Sequence, residues 1–127
     1  MGSFKQFGVQ LAYGHVEKLG DKLEPLQHLI DWKRFQSILD RPSERGRPPY
    51  DSVLMFKMLL LQRMYGISDQ ELEYQVADRI SFQRFLNFPS VIPDYSTVWR
   101  FREYITEMVL HDKLWDEFMQ QIKEKGI

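Results

Sequence analysis

A chain of 127 residues that is 43% hydrophobic and 14% aromatic has the length and apolar content for one buried core, which argues against a disordered polypeptide and for a single domain. Its formal net charge of -1 gives no overall attraction to nucleic acid, so any such affinity has to come from the local distribution of charge. Cysteine is absent, which removes disulfides and thiolate metal sites, and the start MGSFKQFGVQ has no secretory apolar region, so a cytoplasmic setting is expected.

Residues 1–20 mix Phe4, Phe7, Val9, Leu11 and Tyr13 without a clean period and read as an N-terminal arm ahead of a helical domain over 21–127. In EPLQHLI, Pro25 falls where a first-turn proline is tolerated, and Leu26, Leu29 and Ile30 share a stripe. Asp31 then reads as the N-cap of WKRFQSIL. The segment RPSERGRPPY, residues 41–50, holds three prolines, a glycine and three arginines, so it cannot continue a helix and reads as an extended connector.

Beyond the connector, Asp51 can cap a helix that reaches Tyr65 and stops at Gly66. This helix is apolar on nearly every side apart from Lys57, Gln62 and Arg63, the composition of an element at the centre of a bundle. Its run VLMFKMLLL is too short and too charged for a membrane span. Ser68 and Glu71 form a capping-box signature ahead of Leu72 and Val76. Ile80 to Phe88 is a shorter helical pattern, with Phe82, Phe85 and Leu86 on one side and Gln83 and Arg84 on the other. After the break FPSVIPD, helices are expected from Asp94 and again over Asp112 to Lys125, the latter with Leu114, Trp115, Phe118 and Ile122 at helical spacing. No period-2 alternation appears, so the expected class is all-α, a compact multi-helix bundle.

The stretch PDYSTVWRFREYI carries the candidate site. At about 100° per residue, Val98, Phe101, Ile105 and Met108 make a core face. Ser96, Trp99, Arg100 and Glu103 fall on the opposite arc, with Thr97 and Tyr104 at one margin and Arg102 at the other. A short helix, a turn and a second helix whose first residues point outward is how a helix-turn-helix offers a recognition helix to the major groove. Arginine can make a bidentate pair with guanine, Ser96 can donate to a phosphate, the Thr97 methyl can meet a thymine methyl, and Trp99 can lie against sugar or base. Arg79, Arg84, Arg100 and Arg102, with Asp94 the only acid between Arg79 and Arg102, predict a local basic patch.

Gln83 and Arg84 on the preceding helix, and Arg45 and Arg47 in the connector, complete the candidate DNA-contacting set. Arg45-Gly46-Arg47-Pro48 matches the core of an AT-hook, whose arginines follow a narrow A·T-rich minor groove. The plainer alternatives are a stiff linker at 45–48, an Arg102 paired with a carboxylate of a neighbouring helix, and a Trp99 that belongs to the core.

The ordered series GRPPYDSVLMFKMLLLQRMYGISDQELEYQVADRISFQRFLNF, followed by PDYSTVWRFRE, resembles the N-terminal domain of bacterial and archaeal insertion-sequence transposases of the insertion-sequence-five type, members of the DDE superfamily. The resemblance runs from LIDWKRF near Leu29 to the last helix. It implies a helical module that helps to bind terminal inverted repeats in double-stranded DNA, followed in the parent enzyme by an RNase H-like domain whose Asp, Asp and Glu hold divalent metal. The sequence ends at EKGI, about where the family continues toward its first catalytic Asp, so no catalytic role carries over and no cofactor is expected in this chain.

The residues themselves give the same expectation. Asp69, Glu71 and Glu73 cluster where capping and the helix dipole already explain them, and Asp116 and Glu117 diverge on one helix. His15, His28 and His111 lack ligand spacing, and no nucleophile elbow, Walker loop or dinucleotide fingerprint is present. Neither a membrane nor a small-molecule substrate is expected as partner. The alternative to DNA reading is a protein-interaction module, a homodimer contact anchored by Trp99, Tyr104 and Trp115.

Overall fold

The helix that the sequence leaves almost without a polar face is the axis around which the others pack. The structure, a computed structural model, describes residues 22–40 and 51–127. It contains α1 (Leu23–Leu29), α2 (Trp32–Leu39), α3 (Ser52–Tyr65), α4 (Asp69–Asp78), α5 (Ile80–Phe85), α6 (Tyr95–Glu107) and α7 (His111–Lys125), with no strand among the described residues. The fold is all-α, as expected. The arm at 1–20 and the connector at 41–50, with Arg45 and Arg47, lie outside the described residues.

Met55, Phe56, Met58, Leu60 and Leu61 bury α3 from several directions. Helices α2, α4 and α6 pack on it; α7 packs on α2, α6 on α4, and α5 bridges α4 and α1. Phe56 stacks on Phe35 of α2 with ring centroids 4.5 Å apart and meets Trp115 of α7 at 5.8 Å, so one ring of α3 joins both neighbours. In α1 the buried stripe is Leu23, Leu26 and Ile30, while Leu29 stays exposed. The spacing i, i+3, i+7 turns Leu29 away from the core, which corrects the stripe read from sequence.

Two buried polar residues fasten the bundle. Lys57 projects from α3 between the rings of Trp32 and Phe85, 4.6 and 5.2 Å from their centroids, and its Nζ donates to the Phe85 carbonyl at 2.9 Å, closing the C-terminus of α5. Burial pushes its ammonium below the usual lysine range, and Asp51 partly opposes that. Gln121 of α7 accepts from the Asp31 backbone N–H at 2.7 Å and donates to the Asp31 carbonyl at 3.2 Å, pinning α7 to the start of α2.

Sequence start signals translate directly into geometry. Asp31, Asp51, Ser68 and Asp94 each accept a backbone N–H of the following turn, from Lys33, Val53, Glu71 and Thr97. Glu71 does not complete its box, because its carboxylate accepts from Gln75 at 2.7 Å. Four helices end on a left-handed residue: Gly66 after α3, Asn87 after α5, Val109 after α6 and Gly126 after α7. At α6 the Val109 N–H reaches the Thr106 carbonyl and the Leu110 N–H the Ile105 carbonyl, the paired bonds of a Schellman turn.

Glycine suits such a position, yet the third is a β-branched valine at φ 54° with 78% of its surface exposed. Val109→Gly should therefore raise unfolding stability by about 0.5–1 kcal/mol, the relieved strain outweighing the entropy of the added glycine. Chemical denaturation of both proteins checks this.

Candidate nucleic-acid interface

Helix α6 is fixed by its back. Val98, Phe101 and Ile105 are buried, Met108 packs against the core, and the Tyr104 hydroxyl donates to the Leu39 carbonyl at 3.1 Å. The expected core face is thus the observed one. On the opposite arc Trp99 shows 53% of its surface, Arg100 and Glu103 face solvent, and Ser96 is half-buried. Arg100 makes no hydrogen bond or ion pair with a described residue, and its charge slightly favours the ionised form of Asp94.

The start of the helix carries carboxylates. Asp94 accepts from the Thr97 N–H at 2.8 Å and from the Ser96 hydroxyl at 2.9 Å, and Glu73 of α4 accepts from the Tyr95 N–H at 2.8 Å. Hydrogen bonds from Thr97 and Ser96 hold the Asp94 carboxyl below its usual range. Two anions therefore occupy the end at which the helix dipole would attract a phosphate, and the Ser96 proton points to Asp94. Ser96 is available as an acceptor, not as the phosphate donor expected from sequence. Trp99, Tyr95 and Ser96 line a shallow groove with Ser68, Asp69 and Gln70, the first turn of α4.

Arg102 takes a different path from its neighbour two residues away. Its guanidinium forks onto both carboxylate oxygens of Asp69 and donates to Gln62 Oε1 at 2.6 Å, while Gln62 Nε2 donates to Asp69 Oδ1 at 2.6 Å. Three residues from α3, α4 and α6 close one network, and the Arg102 fork draws the Asp69 carboxyl below its usual range against the opposing effect of burial. The pairing with a neighbouring carboxylate, the plainer reading of Arg102, is the one observed.

Gln83 and Arg84 are also engaged internally. Gln83 donates to the Val76 and Ala77 carbonyls at 3.1 Å each, and Arg84, its side chain only 14% exposed, pairs with Glu24 of α1 at 3.5 Å. Arg79 lies over the rings of Tyr65 and Phe82. Three of the four arginines thus disperse onto carboxylates and aromatic faces, and the expected basic patch contracts to Arg100. A contiguous run in sequence cannot reveal which of its cations a neighbouring helix will claim.

The packing also differs from a short helix-turn-helix. Residues 86–94 separate α5 from α6, and α6 lies principally on α4 and α3. Of the proposed dimer anchors only Trp99 has no bond or ring contact among the described residues: Tyr104 is bonded to Leu39, and Trp115 packs against Phe56 beneath Arg63. Sequence reasoning passed over Arg63, noted only as a polar exception on α3. Its guanidinium sits 4.4 Å above the Trp115 ring, a pairing between the ends of two helices that no local spacing announces.

No group of three or more His, Asp or Glu side chains among the described residues is placed to hold a metal ion. Four of the five carboxylates singled out in sequence have other partners: Asp69 holds Arg102, Glu71 holds Gln75, Glu73 accepts from the Tyr95 N–H, and Glu117 accepts from Gln121 and faces Arg34. They do not fit a divalent-metal site of the kind that supports phosphoryl transfer. No described helix is long and apolar enough to cross a membrane.

Fold and site together define a small all-α module that presents the outer arc of one rigidly held helix. Residues 11–104 match the family "Transposase domain (DUF772)", and the chain belongs to that family of transposition proteins. No solved structure matches the chain.

Proposed function

We propose that the chain is the DNA-binding module of a DDE transposase of the insertion-sequence-five type, N-terminal to the catalytic domain, and that it reads the terminal inverted repeats of its element through α6. The observation that carries this reading is the Arg100 guanidinium, unpartnered among the described residues, beside exposed Trp99 on a helix whose opposite face is locked into the core. An exposed, uncommitted guanidinium on a rigid helix can reach guanine O6 and N7 in the major groove, and the adjacent indole offers a flat surface to sugar or base.

In this arrangement α4 and α6 act as the helix-turn-helix pair, with α5 in the connection between them. Ser96 accepts from a base amino group, and Thr97 contributes its methyl at the margin. Arg102 positions α6 from behind, and Gln83 and Arg84 keep α5 in place. Arg45 and Arg47 supply phosphate or minor-groove contacts, giving affinity that does not depend on sequence. The alternative, a protein-interaction module, would present Trp99 as its exposed anchor, with Tyr104 bonded to Leu39 and Trp115 packed on Phe56.

Selection of bound duplexes from a random pool, followed by mobility-shift titration at two salt concentrations, tests the proposal. A selected sequence should bind more tightly than its scrambled version at both salts, with affinity falling as salt rises. Equal binding of selected and scrambled duplexes would remove the recognition reading.

A further inference from the structure

A second surface lies where the C-terminal part of α3, the last turns of α6 and the first turn of α7 meet. Phe56, Leu59, Ile105 and Leu114 floor a cleft of about 220 Å³, and Arg63, His111 and Trp115 stand at its edge. Arg63 lies on the Trp115 ring with no carboxylate partner among the described residues, and the His111 ring is 5.9 Å from the same indole. No Asp or Glu lines the cleft. An apolar floor with an unneutralised guanidinium beside it fits an aliphatic side chain that arrives next to a carboxylate.

Such a pair stands on the turn adjoining the cleft. Val109 projects from the left-handed position between α6 and α7, 78% exposed, where glycine would be conformationally easier. Three residues on, the Asp112 side chain is 96% exposed. An exposed β-branched residue kept in a strained conformation is a feature that solvent contact alone does not explain. Knob and hollow share one turn, the arrangement a two-fold contact requires, since each copy then offers both parts to the other.

We infer that the α6–α7 turn is a self-complementary contact between two copies of this chain. Val109 of each copy enters the apolar cleft of the second, and Asp112 of each faces Arg63 of the second. The contact is small and the dimer weak. It lies apart from Trp99 and Arg100 and does not depend on the DNA reading.

Sedimentation equilibrium of the full chain tests it. The parent protein should show a concentration-dependent dimer below about 1 mM chain. Val109→Gly should lose dimer affinity by roughly 10-fold or more while melting at a higher temperature, so that lost association cannot be attributed to lost folding. Arg63→Glu and Asp112→Lys, each confirmed folded by circular dichroism, should be monomeric alone. Mixed one to one they should associate, because the mixture pairs Glu with Lys in one contact and Arg with Asp in the other. A parent chain monomeric throughout, a dimer untouched by Val109→Gly, or a mixture that stays monomeric would each overturn the inference.

Discussion

Arg100→Ala is expected to weaken binding to the selected duplex by about 1–3 kcal/mol and to relax discrimination at one base pair, with unfolding stability unchanged. Its guanidinium has no hydrogen-bond or ion-pair partner among the described residues, so removing it leaves no buried group unsatisfied. Competition mobility shifts with single-base variants of the selected site measure the first effect, and a melting curve checks the second. Unaltered affinity together with unaltered melting would show that α6 does not read bases through this residue.

Arg102→Ala is expected to act on the fold. Asp69 would lose both of its guanidinium bonds while its side chain is only 22% exposed, and Gln62 would lose its donor. Because water can reach part of the site, the loss should be about 1–2 kcal/mol, lowering the melting midpoint by roughly 3–10 °C. At a temperature where the variant is fully folded, its DNA affinity should stay near that of the parent. A large affinity loss with normal stability would make Arg102 a direct contact instead.

The same network sets a dependence on acidity. The Asp69 carboxyl titrates below its unfolded value of about 3.9 because Arg102 and Gln62 donate to its ionised form. A depressed folded value contributes stability that is complete above the unfolded pKa and is lost as pH falls through the folded one. Denaturation midpoints collected from pH 6 downward should therefore drop more steeply through the carboxylate range for the parent than for Arg102→Ala. Parallel curves would mean that the fork contributes little in solution.

Most helix starts are legible in the sequence because capping is a local interaction. Asp31, Asp51, Ser68 and Asp94 lie within three residues of the N–H groups that they accept. The centrality of α3 is equally legible, since a helix without a polar face has nowhere else to go. The contacts that decide the site are long-range: Arg102 meets Asp69 across 33 positions and Arg84 meets Glu24 across the α1–α5 contact. Charge counted along the chain treats all four arginines as equivalent, and only the packing separates Arg100 from the rest. Val109 is hidden for another reason, because its backbone conformation runs against its own preference.

The reciprocal Gln121–Asp31 clasp bears on where this unit can be cut. It joins positions 90 apart, and the helix that carries it also contributes Leu114 and Phe118 to the core and Trp115 against Phe56. A fragment trimmed at residue 104, where the family match stops, would bare aromatic surface on the central helix and orphan a backbone amide. The cooperative boundary thus lies beyond the recognisable homology, and fragments that stop with the match are expected to aggregate.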